Sequence, residues 1–175
     1  MLNHRIVAPA LVLLVAACSQ DVMPSEPQYN MAAASRSAET CTNLRGTVEA
    51  RFLTPAEQLA LPAVATGAAI EGTLFDDDGV AIGAAYAWID ALQPRGDGAL
   101  YIEMRHRYVI GGDALDTNDT GTLAPVQPPL YRFNNRLDIT GGSGAFAQAT
   151  GMIRAHGTVV IGGDIALQYH GRLCT

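Results

Sequence analysis

Apolar and polar residues alternate with a period of two along most of the chain after residue 40. Two runs show the pattern most clearly, Leu100 to Ile110 and Tyr131 to Ile139. Such alternation is typical of a β-strand that turns one face to a core and the other to solvent. The residues predicted on the inner face of these two runs are Leu100, Ile102, Met104, His106, Tyr108 and Ile110, then Tyr131, Phe133, Asn135, Leu137 and Ile139.

Short alternating runs separated by turn residues recur about every ten residues to the end of the chain. This rhythm predicts an all-β fold of seven or eight short strands, arranged as a barrel or a sandwich. One short helix is expected after the first strand, since Thr54 to Glu57 form a capping box and Pro62 ends the helix. The strand from Val80 to Leu92 is apolar on both faces, which indicates either an outer cover or a partner, such as a second copy in a homodimer.

The stretch from Gly111 to Leu123 is dense in Asp, Thr, Asn and Gly, and it predicts a polar loop. A short strand near residues 120–126 would then supply the eighth strand. The segment that begins at Asp116 starts like a calcium-binding loop. Thr120 and Gln127 stand at positions where that motif prefers a carboxylate or amide oxygen and then a glutamate, so no calcium site is expected.

The last hairpin allows two registers. A two-residue Gly162-Gly163 turn would place His156 opposite Tyr169 inside the barrel. A three-residue loop that includes Asp164 would pair Gly157 with Tyr169 inside and His156 with His170 outside, and the alternation of apolar residues favours this second register. Two outward histidines lack a third ligand, so no metal site is predicted.

A glycine-rich stretch, residues 137–151, joins two strands and predicts a tight corner, because glycine reaches positive φ without steric cost. Residues 142–147 also match the glycine-rich dinucleotide fingerprint. That motif must open a helix that holds a pyrophosphate, and the glycines that follow at Gly151 and Gly157 leave no room for one. We therefore expect a structural corner and no nucleotide cofactor.

The segment from Asn135 to Phe146, a strand followed by Gly-Gly-Ser-Gly and an aromatic residue, resembles allene oxide cyclase-like barrels, the superfamily that includes plant dirigent proteins. Residues 147–151 and the final strand, Tyr169 to Cys174, are similar as well. The resemblance implies an eight-stranded antiparallel barrel with a central cavity over residues 41–175. It implies no catalytic residue, because the shared motif is structural.

The beginning of the chain has the features of an export signal, with Arg5 followed by a short apolar run from Ile6 to Ala17. That run is too short to span a bilayer. Residues 15–18 resemble the bacterial lipobox, which implies cleavage before Cys18 and acylation of its sulfur. We expect a signal peptide at 1–17, a lipidated cysteine and flexible tether at 18–40, and the barrel at 41–175. By similarity to enterobacterial lipoproteins, Ser19 implies an exported protein anchored in the outer membrane.

The formal net charge of −6 disfavours nucleic acid and anionic membrane surfaces as partners. The chain contains no lysine, which excludes a lysine Schiff base. Cys41 and Cys174 begin and end the predicted barrel, where the first and last strands are neighbours. We predict a disulfide between them, with both side chains pointing outward, because export makes an oxidising compartment available.

The predicted inward polar set comprises His106, Tyr108, Tyr131, Asn135 and Tyr169. These residues are the candidate ligand-binding site of a barrel that holds a small apolar or aromatic molecule. A cofactor-free isomerase or cyclase is the first alternative, since a histidine among tyrosines can move protons. An envelope protein that acts through its outer faces is the second. An open cavity would favour the first two, and a barrel filled by its own side chains the third.

Overall fold

The computed structural model describes residues 40–175, which form a closed barrel of eight antiparallel strands. Each strand pairs with the next along the chain, and the last pairs with the first. The predicted fold class is therefore confirmed. The strands are β1 (Cys41–Phe52), β2 (Ile70–Asp76), β3 (Ala81–Pro94), β4 (Leu100–Ile110), β5 (Asp113–Gln127), β6 (Leu130–Gly142), β7 (Thr150–Val160) and β8 (Asp164–Cys174).

The predicted signal peptide, Cys18 and the tether up to residue 39 lie outside the described residues. The three-part division of the chain and the lipid anchor therefore stay predictions. Thr40, the last residue of the predicted tether, already exchanges two backbone hydrogen bonds of 3.0 Å with Thr175. No helix within residues 40–175 has the length and apolarity needed to cross a membrane.

The short helix α1 (Pro55–Leu59) follows β1 as expected. Its capping box is complete, because the Thr54 hydroxyl accepts from the Glu57 backbone N–H and the Glu57 carboxylate accepts from the Thr54 backbone N–H at 2.8 Å. A 3₁₀ turn (Ala63–Ala65) comes next. Together they form the connection between β1 and β2.

This connection covers the outer face of β3 and β4. Ala65 and Ala68 are completely buried and pack with Tyr86 on the outer face of β3. The Trp88 indole N–H donates to the Thr66 carbonyl at 3.0 Å, and Arg107 on β4 donates to the Val64 carbonyl at 3.2 Å. The apolar character of both faces of β3 thus reflects an outer cover, one of the two alternatives that the sequence left open.

The closure of the barrel by β1 and β8 places Cys41 directly opposite Cys174. The two residues form a disulfide on outward-facing positions of their strands, which confirms the predicted bridge. Further along the same pair of strands, Gly46 lies opposite Tyr169.

The last hairpin has a register that the sequence analysis did not anticipate. Its loop has three residues, but they are 161–163, and Asp164 already belongs to β8. Tyr169 therefore lies opposite Ala155, and His156 lies opposite Gln168. The predicted pairs of Gly157 with Tyr169 and of His156 with His170 are wrong, although the inward and outward faces are as predicted.

The predicted polar loop at 111–123 is also wrong. Residues from Asp113 to Gln127 form β5, which pairs with β4 over residues 113–123 and with β6 over residues 115–127. Polar residues adopt a strand here because both neighbours offer a full hydrogen-bonding ladder, and this tertiary pairing overrides their low strand propensity. The alternation of a strand sends the residues that resembled a calcium loop to opposite faces of the sheet, so they do not surround a common point.

The glycine-rich corner is structural, as expected. Strand β6 ends at Gly142, and a 3₁₀ turn of three residues (Gly144–Phe146) replaces the helix that a dinucleotide site would need. Gly144 has φ +55°, and an added Cβ would meet the Asp113 carboxylate. That carboxylate accepts a hydrogen bond from the Ala145 backbone N–H at 3.0 Å, which ties the corner to the start of β5.

Replacement of both Cys41 and Cys174 by serine should lower the free energy of unfolding by about 2–5 kcal/mol, because the bridge joins residues 133 positions apart and restricts the unfolded chain. Denaturant unfolding followed by circular dichroism measures this change. A Cys18→Ser variant keeps both barrel cysteines and is the matched control. Titration of two reactive thiols at Cys41 and Cys174 in the oxidised, folded protein would contradict the bridge.

Candidate functional site

The interior of the barrel contains a cavity of about 260 Å³. Its wall is apolar nearly throughout, with residues from all eight strands. A cavity of about 150 Å³ lined by such residues is large enough for benzene. The volume inside this barrel is therefore enough for a small molecule somewhat larger than a single ring.

Four of the five predicted binding residues line this cavity: His106, Tyr108, Asn135 and Tyr169. The fifth, Tyr131, lies on the same face of its strand and packs against the cluster that contains Phe133 and Val159, but it is not part of the cavity wall. The structure thus brings four of these side chains together around one space.

The Tyr169 hydroxyl forms a hydrogen bond with the backbone of the barrel. It donates to the Phe75 backbone carbonyl at 2.9 Å, so the side chain crosses β1 and reaches β2. It passes over Gly46, where an added Cβ would lie 2.7 Å from the tyrosine ring carbon Cζ. Tyr169 therefore covers Gly46, and its hydroxyl is engaged with the barrel itself.

A buried acid lies behind His106. The carboxyl group of Asp119 on β5 contacts His106 Nδ1, and the Asp119 side chain has no exposed surface. A carboxylate at Nδ1 favours the tautomer that carries its proton on that nitrogen, which leaves Nε2 as the free nitrogen of the ring. The neighbouring Tyr108 ring stacks on the imidazole, with centroids 5.6 Å apart and planes 2° from parallel.

Burial, the nearby charge of Asp119 and the proximity of Tyr169 raise the pKa of Tyr108 well above its ordinary value of 10. The Tyr108 hydroxyl consequently keeps its proton at neutral pH. It can donate a hydrogen bond to whatever occupies the cavity.

Asn135 lines the cavity from β6 and is 6% exposed. Its Oδ1 atom has no hydrogen-bond partner among residues 40–175. Gly121 lies directly opposite on β5, and an added Cβ there would come 3.0 Å from that Oδ1 atom and 2.9 Å from Phe133 Cε2. The absence of a side chain at Gly121 therefore provides the space in which Asn135 and Phe133 lie.

Apart from Tyr169 on β8, whose hydroxyl is bonded to Phe75, the inward polar side chains of this site lie on β4, β5 and β6. Thr117 Oγ1 and Asp119 Oδ1, both on β5, are also buried without a hydrogen-bond partner in the described part of the chain. An unsatisfied buried polar atom costs about 1–3 kcal/mol, so such atoms concentrate where a site has a use for them. Of the three, only Asn135 reaches the cavity wall.

Sequence reasoning missed Asp119 because it assigned β5 to a loop. The available signal was the shared parity of Leu115, Thr117, Asp119 and Leu123, with apolar residues at both ends. Extension of that parity through the polar centre would have placed Asp119 inside.

The outward histidines are near each other, with the ring centroids of His156 and His170 6.2 Å apart. No group of three or more His, Cys, Asp or Glu side chains in residues 40–175 is placed to hold a metal ion.

No protein-family model and no curated protein matches this sequence. Among solved structures, the pterocarpan synthase dirigent protein GePTS1 is similar, with a TM-score of 0.44 and 17% sequence identity. The similarity covers 78% of this chain and 90% of that chain. Neither an activity nor a ligand is transferred from that protein to this one.

Tyr108→Phe should make the protein less sensitive to alkali. The folded pKa of Tyr108 lies above the unfolded value, so its contribution is complete below about pH 10 and declines as the pH rises, because only the unfolded chain then loses the proton. In the variant, the free energy of unfolding should fall less steeply above pH 10, by up to about 1.4 kcal/mol per pH unit. Urea unfolding between about pH 8 and 11.5 measures the slopes. Equal slopes in both proteins would refute the assignment.

Proposed function

We propose that the barrel binds a small, mostly apolar or aromatic molecule in its interior. The observation that carries this proposal is the cavity of about 260 Å³, which the side chains of the barrel do not fill. Natural interiors are packed at high density, and few contain voids of this size. A filled barrel would instead have favoured an envelope protein that acts through its outer faces.

The polar groups in the wall indicate what kind of apolar molecule fits. The Asn135 amide, the Tyr108 hydroxyl and the His106 ring offer hydrogen bonds within a mostly apolar wall. A ligand with one hydroxyl group on a ring system would satisfy Asn135 Oδ1 and bury its remaining surface against aliphatic side chains. Few polar groups in an apolar pocket are the usual arrangement of small-molecule sites.

The chemistry of the pair formed by His106 and Asp119 favours a second candidate, a cofactor-free isomerase or cyclase. A histidine whose tautomer is fixed by a buried carboxylate is a suitable general base or acid when substrate lies against its free nitrogen. In this second function the same cavity would hold the substrate and exclude water.

We further propose that the barrel is held at the bacterial cell envelope by an acylated Cys18. The support is the leader and the lipobox-like residues that precede it. The mass of the mature protein from its host tests this proposal, since acylation requires an N-terminal Cys18 that carries lipid. A mature chain that begins elsewhere, or that carries no lipid, would refute it. A homodimer stays a prediction without further support.

The binding function is tested by titration of the full chain with naphthalene and 2-naphthol. We expect both to bind and 2-naphthol to bind about two- to tenfold more tightly, because its hydroxyl can donate to Asn135. Ala155→Leu should weaken both, since Ala155 lines the cavity beside Asn135 and Tyr169, whereas Ala166→Leu on the outer face of β8 is the matched control. Asn135→Leu should bind naphthalene and 2-naphthol with equal affinity, because it removes the hydrogen-bond acceptor and keeps the apolar wall.

Equal binding to the wild-type protein and to Ala155→Leu would show that the probes bind elsewhere and would reject the proposal. Native mass spectrometry of the protein from its host identifies the natural ligand. His106→Gln separates the two candidate functions: a variant that keeps the natural ligand but no longer converts it indicates catalysis, and unchanged handling of the ligand indicates binding alone.

A further inference from the structure

The outer face of the barrel contains a row of basic side chains that crosses four neighbouring strands. Arg136 on β6 lies directly opposite Arg154 on β7, Arg154 lies opposite His170 on β8, and His170 lies opposite Arg45 on β1. Neighbouring strands are about 4.8 Å apart, so these side chains are in reach of one another. The row is a product of the strand registers, because its members are widely separated in the sequence.

Like charges directly opposite each other destabilise a sheet, so this row lowers the stability of the folded barrel. The ends of the row have acidic neighbours, since Arg136 pairs with Asp138 at 2.9 Å and Arg45 approaches Asp77 at 3.7 Å. Arg154, in the middle, makes no ion pair with any residue between 40 and 175. An unpaired arginine placed between two other basic groups indicates a site for an external anion.

Other arginines on the same barrel are arranged differently. Arg105 binds the Asp90 carboxylate through two nitrogens at 2.9–3.1 Å, and Arg107 binds Asp116 in the same way at 2.7 and 2.9 Å. Each of these two arginines is therefore held by a carboxylate on a neighbouring strand.

Arg132 and Arg172 also lack an ion pair within residues 40–175, but their cross-strand neighbours are neutral: Ala124 and Thr158 for Arg132, and Asn43 and Met152 for Arg172. Arg154 differs because it lies directly between Arg136 and His170.

The row borders a concave groove of about 440 Å³ on the outer surface, which we call the outer groove. Its basic lining residues are Arg136, Arg154, His156 and His170, and its neutral hydrogen-bonding residues include Thr120 and Asn134. No carboxylate of the described residues lines it.

Two acidic residues lie near the outer groove. Asp138 is bound to Arg136, and Glu103 faces outward two strands from Arg136, opposite Thr120. Neither separates Arg154 from the histidines.

We propose that the outer groove binds a phosphate group. Two arginines and two histidines around one concavity suit a multiply charged anion, and the guanidinium fork matches phosphate geometry. The net charge of −6 repels long polyanions such as nucleic acid, so a compact phosphate fits this local site better. The group can belong to a soluble phosphate compound, which the net charge favours, or to a phospholipid headgroup, which requires the local basic row to outweigh the repulsion between the acidic protein and an anionic membrane.

The test compares Arg154→Gln with Arg132→Gln in the full chain. Arg132 is exposed on the outer face of β6 and does not line the groove. Arg132→Gln removes the same charge as Arg154→Gln and is therefore the matched control. We expect pyrophosphate, titrated calorimetrically at about physiological ionic strength, to bind the wild type saturably and Arg154→Gln about tenfold more weakly. Arg132→Gln should bind like the wild type. Without anion, Arg154→Gln should have a Tm about 1–3 °C higher, because a like-charge contact is removed.

A second arm identifies the source of the phosphate. Sedimentation with phosphatidylglycerol vesicles, against phosphatidylcholine vesicles, is done in a Cys18→Ser background so that no acyl chain contributes. Binding in either arm that depends on Arg154 and not on Arg132 supports the proposal, and the arm that responds names the source. An equal loss of affinity in Arg154→Gln and Arg132→Gln would overturn the proposal. Failure of the wild-type protein to bind either pyrophosphate or the vesicles would overturn it as well. A lower Tm of Arg154→Gln with unchanged pyrophosphate affinity also overturns it, since Arg154 would then be structural.

Discussion

The pairing of β1 with β8 is the constraint on which the rest of the barrel depends. Closure removes the free edges of the sheet and commits every residue of every strand to one of two faces. It also fixes the registers of neighbouring strands relative to each other, since eight pairings must be satisfied together. The interior cavity is a consequence of this closure, and so is the place of Arg45 in the outer row, because Arg45 and His170 lie opposite each other on the two strands that close the barrel.

The interior combines an apolar majority with a polar sector on three adjacent strands. The Asp119 carboxyl group is buried behind His106, and its charge contributes to the raised pKa of Tyr108. Gly121 complements this sector by leaving space for Asn135. The barrel thus concentrates the polar groups that are open to a ligand on β4 and β6, where a bound molecule would find its hydrogen bonds, whereas the Tyr169 hydroxyl on β8 is bonded to Phe75.

The fold class and the site could be predicted to different extents. Alternation predicted an all-β fold and the inward positions of His106, Tyr108 and Asn135, because parity is a local property of each strand. The closed eight-stranded barrel was implied by the resemblance of the glycine-rich segment. Asp119 was missed, since its strand is held by its neighbours and has weak propensity of its own. The row around Arg154 was not predictable either, because it depends on which residues lie opposite each other across four strands, and the hairpin register inferred from β7 and β8 differed from the real one.

The position of the Cys41–Cys174 bridge has a mechanical consequence. A force applied at Thr40, with the rest of the barrel held in place, would separate β1 from β8 one residue pair at a time. The hydrogen bonds of each pair would then resist the force alone. The covalent link lies at the second pair from that end, directly after the hydrogen bonds of Thr40 with Thr175. Peeling would therefore stop before it reached the interior, because the disulfide would carry the tension from β1 to β8 without loading the cavity wall.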